Sequence, residues 1–104
     1  MIKKHILYVG LNDKDTKQQE ITTVDAYKII QRAVLGVGYD GATITEATGI
    51  YKHDDGEIVI EKSLEVSILF ATDEKTTELV NEIKHLLNQE SIAVQKQNIT
   101  SDLM

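Results

Sequence analysis

An α+β fold of the order strand, helix, strand, strand, helix, strand is predicted by three features of this 104-residue sequence. Two stretches alternate apolar and polar residues with the period of a half-buried strand, and two more, one rich in Thr and Ile and one weaker, read as strands beside them. Two intervening stretches place apolar residues at helical spacing behind a hydroxyl or carboxylate cap. The chain has no proline, and Gly36, Gly38, Gly41 and Gly56 fall between these stretches.

The first strand spans Lys3 to Leu11, with His5, Leu7, Val9 and Leu11 on one side and Lys4, Ile6, Tyr8 and Gly10 on the other. Asn12 to Glu20 is polar and aperiodic, an exposed loop. Thr22 followed by Asp25 has the spacing of a capping box, and Ala26, Tyr27, Ile30, Ala33, Val34 and Val37 recur at helical intervals, so a helix is expected from about Thr23 to Leu35. Gly36, Gly38 and Gly41 stop it and turn the chain. The second strand begins near Ala42 and runs to Tyr51. Lys52-His53-Asp54-Asp55-Gly56 is a polar hairpin that pairs it, antiparallel, with the third strand. In that strand Ile58, Ile60, Leu64, Val66, Ile68 and Phe70 share one parity, interrupted by Lys62. Thr72 or Asp73 caps a second helix with an apolar stripe of Leu79, Val80, Ile83, Leu86 and Leu87. Ser91 to Ile99 is the last strand. This is the split βαβ order of a ferredoxin-like βαββαβ fold, a four-stranded antiparallel sheet with two helices on one face.

The length suits a single domain over residues 1–104. No apolar run reaches the roughly 20 residues needed to cross a bilayer and no signal-peptide core opens the chain, so a cytoplasmic protein with no membrane contact is expected. The absence of cysteine removes disulfides, thiolate metal sites and cysteine nucleophiles. Seventeen acidic against eleven basic residues give a net charge of −6, which opposes direct binding to a nucleic-acid backbone and suits a basic protein partner.

With both helices on one face, the other face of the sheet stays open, and function is sought there. Parity places Ile6, Tyr8, Thr43, Thr45, Val59, Glu65, Ser67 and Leu69 on it. Together with Glu61 and the hairpin residues Tyr51 and His53, these form the candidate interface, Ser67 serving only to mark the face. A homo-oligomer contact, trimer or dimer, is the expectation. Scattered exposed apolar groups, which any protein carries, are the plain alternative.

No catalytic, cofactor or metal motif stands out. His53, Asp54 and Asp55 are the densest polar cluster, and imidazole beside carboxylates suits a metal or acid–base chemistry, yet a polar turn ending in glycine explains all three. Asp13-Lys14-Asp15-Thr16-Lys17 lacks the glycine and terminal glutamate of a calcium loop. Gly36-Val37-Gly38-Tyr39-Asp40-Gly41 follows a helix and lacks the lysine and hydroxyl of a phosphate loop. Accordingly no cofactor is expected.

Gly41-Ala42-Thr43-Ile44-Thr45-Glu46-Ala47-Thr48-Gly49 resembles the second strand of the nitrogen-regulatory PII signalling proteins and their PII-like relatives. Glu65-Val66-Ser67-Ile68-Leu69-Phe70-Ala71-Thr72-Asp73 is similar to their third strand and the start of their second helix. The likeness covers roughly residues 41–96 and implies a trimer. That family binds nucleotides through a long loop after the second strand and a glycine- and lysine-containing loop before the last. Here the 52–57 hairpin is short and Asn88-Gln89-Glu90-Ser91 replaces the second loop, so ATP binding is not carried over. The segments Tyr8 to Asp15 and Leu87 to Val94 also resemble short proteins of Gram-positive phages and mobile elements. Three functional readings follow. The first is a non-enzymatic oligomeric binding or regulatory module that uses the sheet face and the 51–57 hairpin. The second is an anti-CRISPR-like inhibitor from a mobile element whose acidic surface blocks a nucleic-acid-binding host protein. The third is a small ferredoxin-like enzyme whose substrate would meet His5, Tyr8 or Glu46 beneath the open sheet.

Overall fold

The structure, a computed structural model, describes residues 1–104 and has the predicted order: β1 Ile2–Gly10, α1 Thr23–Gly36, β2 Thr43–Lys52, β3 Ile58–Leu69, α2 Asp73–Leu86 and β4 Ala93–Ile99. The strands form one antiparallel sheet in the order β2-β3-β1-β4. His5, Leu7 and Val9 of β1 and Leu64, Val66 and Ile68 of β3 point at the helices and are buried. They meet Ala26, Ile30, Ala33 and Val34 of α1 and Leu79 and Ile83 of α2 in one core. Fully burying a side chain such as Leu7, Ile30, Leu64, Ile68, Leu79 or Ile83 is worth roughly 1.5–3 kcal/mol. No helix is long and apolar enough to cross a membrane.

Both helices begin as their caps dictate. Thr22 Oγ1 accepts from the Asp25 amide at 3.1 Å, and Thr72, rather than Asp73, caps α2 by accepting from the Lys75 amide at 3.3 Å. Both also end in the same six-residue motif. Tyr39 N donates to Val34 O after Gly38 at φ +99°, and Gln89 N donates to Lys84 O after Asn88 at φ +49°. Of the three glycines expected to end α1, only Gly38 uses a left-handed conformation.

Four expectations need correction. Tyr27 and Leu86 lie at the edges of their helical stripes and are exposed rather than buried with the core. The third strand ends at Leu69, because Phe70 turns into a left-handed conformation at φ +55° and is exposed. The last strand starts at Ala93 rather than Ser91. Ile58 and Ile60 keep the core parity of β3 but are about two-thirds exposed, since they lie beyond the reach of the helices.

Candidate functional site at the base of the β2–β3 arm

The exposure of Ile58 and Ile60 follows from the register. Ser63 of β3 pairs with Gly10 of β1 on one side and with Ala47 of β2 on the other. Past that row β1 has ended, apart from the Leu11 amide, which donates to Lys62 O at 3.0 Å, and along the ladder Thr48 to Lys52 pair with Ile58 to Lys62. The two strands therefore project as a free arm of five residues per strand, about 17 Å at 3.4 Å per residue. The molecule's longest dimension is accordingly 46 Å against 25 and 23 Å for the others. At the tip His53 N donates to Glu57 O, Gly56 takes φ +89°, and Asp55 Oδ1 accepts from Glu57 N at 2.9 Å. One side of the arm carries Tyr51, Val59 and Glu61, continuing the open face of the sheet. The other carries Ile50, Ile58 and Ile60, all exposed.

Where the arm leaves the body, a cleft of about 1090 Å³ opens between it, the loop after β1 and the turn before β4. Glu61 lies at its base. Its Oε2 accepts from the Asn12 amide at 2.9 Å, and its carboxylate lies over Gly10, where an added Cβ would come within 2.5 Å of Oε1 and 2.7 Å of Cδ. Only glycine leaves room for the acid in this pose. The loop is built by Asp13, whose Oδ1 accepts from the amides of Asp15 and Thr16, while Asn88 Nδ2 donates to Asp13 Oδ2 at 3.0 Å and to Asp15 Oδ2 at 2.8 Å. The Asn88 amide, then the Thr16 and Asp15 amides, hold the Asp13 carboxyl below the usual carboxylate range. Gln89, which is buried, donates from Nε2 to Asn12 O at 2.7 Å. Tyr51 on the arm packs edge-on to His53, with ring centroids 5.4 Å apart. Burial, and then the charge of Glu61, push its phenol above the ordinary value.

Six carboxylates (Asp13, Asp54, Asp55, Glu57, Glu61 and Glu90) face this cleft against Lys14 and Lys17, so it favours a ligand with net positive charge. The His53-Asp54-Asp55 cluster lines its outer wall, with Asp55 capping the turn and His53 on Tyr51.

The candidate interface residues are placed on one surface. Ile6, Tyr8, Thr43, Thr45, Glu65 and Leu69 occupy the open face of the body, and Tyr51, Val59 and Glu61 extend it along the arm toward His53. Tyr8 OH donates to Gln95 Oε1 across that face at 2.7 Å. The grouping of His5 with Tyr8 and Glu46 is not formed. His5 points into the core on the opposite face from Tyr8, and Glu46, paired with Leu64, shares the parity of the helix side. Gly10, Asn12 and Gln89 escaped sequence reasoning, because nothing local marks residues that meet only through strand register.

His5 belongs to a second polar cluster, beneath the start of α2. Its Nδ1 lies 2.7 Å from Thr76 Oγ1, which lies 2.7 Å from Tyr39 OH; that hydroxyl also accepts from Thr72 N and reaches Thr72 O. His5 Nε2 has no hydrogen-bond partner and faces Asp73 Oδ1 at 3.6 Å. A proton on Nε2, with Thr76 donating to Nδ1, turns an N–H toward the carboxylate rather than a lone pair and is the better tautomer. Burial, reinforced by Lys96 and Lys3 and opposed by Asp73, lowers the affinity of this imidazole for a second proton.

A solved phage SAM lyase in complex with S-methyl-5'-thioadenosine is 25% identical to this chain, covering 91% of it and 79% of the lyase with a TM-score of 0.71. CutA of Archaeoglobus fulgidus, a periplasmic divalent cation tolerance protein, is 14% identical over 96% of this chain and 87% of its own, with a TM-score of 0.64. The GlnK–ATP complex of B. subtilis is 11% identical over 92% and 84%, with a TM-score of 0.57. The last two likenesses establish the fold, which is the PII-like ferredoxin fold that the 41–96 segments resemble. No curated protein sequence matches. The family model described as "Protein of unknown function (DUF3574)" matches residues 4–102.

Proposed function

The chain belongs to the DUF3574 family, and from that premise we propose that it is a homo-oligomeric S-adenosylmethionine lyase whose ligand sits in the cleft at the base of the arm. The observation that carries this reading is the Glu61 carboxylate, fixed by Asn12 N over Gly10 and set beside Tyr51 in an acidic cleft, in a chain 25% identical to a SAM lyase. S-adenosylmethionine has a sulfonium, an ammonium and a carboxylate, hence a net charge of +1. A carboxylate and an aromatic ring suit the sulfonium, as they suit quaternary ammonium ions. Lys14 and Lys17, on the loop side, suit the ligand's own carboxylate.

Cleavage breaks the bond between sulfur and the four-carbon chain, and its electron pair leaves with sulfur as the neutral thioether S-methyl-5'-thioadenosine. The remaining fragment either closes on its own carboxylate oxygen to give a lactone, or loses its β-proton to a base to give 2-aminobut-3-enoate. Glu61, already accepting a backbone N–H, is suited to holding and orienting a cation more than to taking a proton, which favours closure. Holding the ligand folded, with its carboxylate near the carbon attacked, is then the main source of rate.

Homo-oligomerisation rests on the arm and on the open face. Ile50, Ile58 and Ile60 form an apolar strip with no cover in the single chain, and on the open face Tyr8, Thr43, Thr45 and Leu69 are exposed beside the half-buried Ile6 and Val59. A neighbouring copy would close both and wall the cleft. The inhibitor reading loses part of its acidic surface, because Glu61 is turned toward Gly10 and Asn12.

The test is to incubate the purified protein with S-adenosylmethionine and follow S-methyl-5'-thioadenosine and the four-carbon product by mass spectrometry, with binding measured by calorimetry. Formation of both products, lost in E61Q, supports the reading. Tight binding without turnover moves the assignment to the non-enzymatic binding module. Absence of binding to either adenosine compound overturns both.

A further inference from the structure

Glu61 reaches the cleft from the arm, the one part of the sheet with no β1 beside it, so something outside its own strand must fix it. That support can be traced through the structure. The last turn of α2 ends at Leu86, and the left-handed Asn88 directs Gln89 back under the loop after β1, with Gln89 N bound to Lys84 O. From there Gln89 Nε2 donates to Asn12 O at 2.7 Å, and on the other side of the same residue Asn12 N donates to Glu61 Oε2 at 2.9 Å. Gln89 is among the few buried polar side chains of the chain, and its amide also lies 3.4 Å from Leu87 O. The neighbouring Asn88 adds parallel ties to the loop, through Lys14 N to its carbonyl and through its amide to Asp13 and Asp15.

We propose that Gln89 is a positioning residue for the cleft: fixed by the end of α2, its amide holds the Asn12 backbone so that the Asn12 N–H locks the Glu61 carboxylate toward the ligand. The role of Glu61 toward a sulfonium ligand rests on the reading above, whereas the lock itself is a property of the free protein. A buried amide left without an acceptor is costly, so Gln89 and Asn12 O are expected to stay paired in solution, and a lost bond frees the loop rather than the helix. The Tyr8–Asp15 and Leu87–Val94 segments are thereby the two halves of one support.

The lock has its own reporter, because Glu61 contributes to the raised titration of the Tyr51 phenol. The tyrosine ring carbons are titrated by NMR without ligand, with Y51F identifying the resonance, in the wild type, E61Q and the two uncharged variants Q89L and Q89M. E61Q is expected to lower the Tyr51 titration, and both Gln89 variants are expected to lower it as well, since a released carboxylate swings toward solvent. N12A, which keeps both backbone groups, is expected to titrate as the wild type. Gln89 variants that leave the titration at the wild-type position while E61Q moves it overturn the proposal, as does an E61Q that moves nothing. Should neither Gln89 variant fold, amide exchange in the wild type decides: a protected Asn12 N–H supports the lock and an unprotected one overturns it. With S-adenosylmethionine, Q89M is expected to lower kcat/KM about 10- to 100-fold, as displaced positioning groups do. If no form binds S-adenosylmethionine, the preceding reading fails, and the Tyr51 titration still decides this one.

Discussion

Gly10→Ala separates the structural role of the cleft from its chemical role. The new Cβ would stand 2.5–2.8 Å from three atoms of the Glu61 carboxyl group, closer than carbon and oxygen tolerate. What it meets is the end of a flexible side chain, so Glu61 is expected to move and the strand to stay. Eviction breaks the bond from Asn12 N. A hydrogen bond to a charged group is worth roughly 1.5–3 kcal/mol when buried; because Glu61 is only partly buried, about 1 kcal/mol is the appropriate loss. Replacing glycine where backbone angles allow alanine returns roughly 0.4–1 kcal/mol through the unfolded chain. The net change should lie within about 1 kcal/mol, a shift of at most about 5 °C in Tm for a chain of this size. Binding should behave differently. Removing a fixed carboxylate from beside a cation is expected to weaken S-methyl-5'-thioadenosine little, since that thioether is uncharged, and S-adenosylmethionine about tenfold or more. Urea unfolding and calorimetry with the two ligands measure both halves. The G10A/E61Q double variant should bind no worse than E61Q alone, because both act through one carboxylate. A G10A protein destabilised by more than about 3 kcal/mol, or one that binds S-adenosylmethionine as the wild type does, refutes the reasoning.

Three further outcomes are expected. His5 is harder to protonate folded than unfolded, so its contribution to stability is complete above about pH 6.5, the unfolded value, and is lost as pH falls from there through the lower folded value; urea midpoints should drop over that interval in the wild type and stay flat in H5N. Thr76→Val leaves both His5 Nδ1 and one bond of Tyr39 OH without a partner in the core, and a loss of roughly 2–4 kcal/mol is expected by chemical denaturation; a loss below about 0.5 kcal/mol would mean the cluster is hydrated or rearranged. Ile60→Lys changes a residue that is 67% exposed in the single chain, so folding by circular dichroism should be unaffected while native mass spectrometry shows a smaller assembly; an oligomer that survives this change and the equivalent one at Ile58 does not use the arm.

The element order and the buried faces were written in local patterns. Strand alternation exposed the core positions of β1, because a half-buried strand cannot hide its period. Thr22 and Thr72 marked the helix starts, because a cap needs a short hydroxyl side chain beside free backbone amides. Parity also placed Tyr8, Thr45, Glu65 and Leu69 on a common open face, since period two is geometric. What local pattern could not express was length matched against length. Ile58 and Ile60 share the parity of Leu64 and Val66, and only their place past the end of β1, beyond the reach of the helices, decides that the first pair is exposed and the second buried. The same mismatch creates the cleft. Glu61 reads as one more carboxylate on a strand until the register sets it over Gly10, and Asn12 and Gln89 read as loop residues until the end of α2 meets the end of β1. Local composition and period set which residues prefer water and which repeat; which of them meet is a matter of folding, because contacts across 49 and 77 residues of chain depend on how far each element runs before it stops.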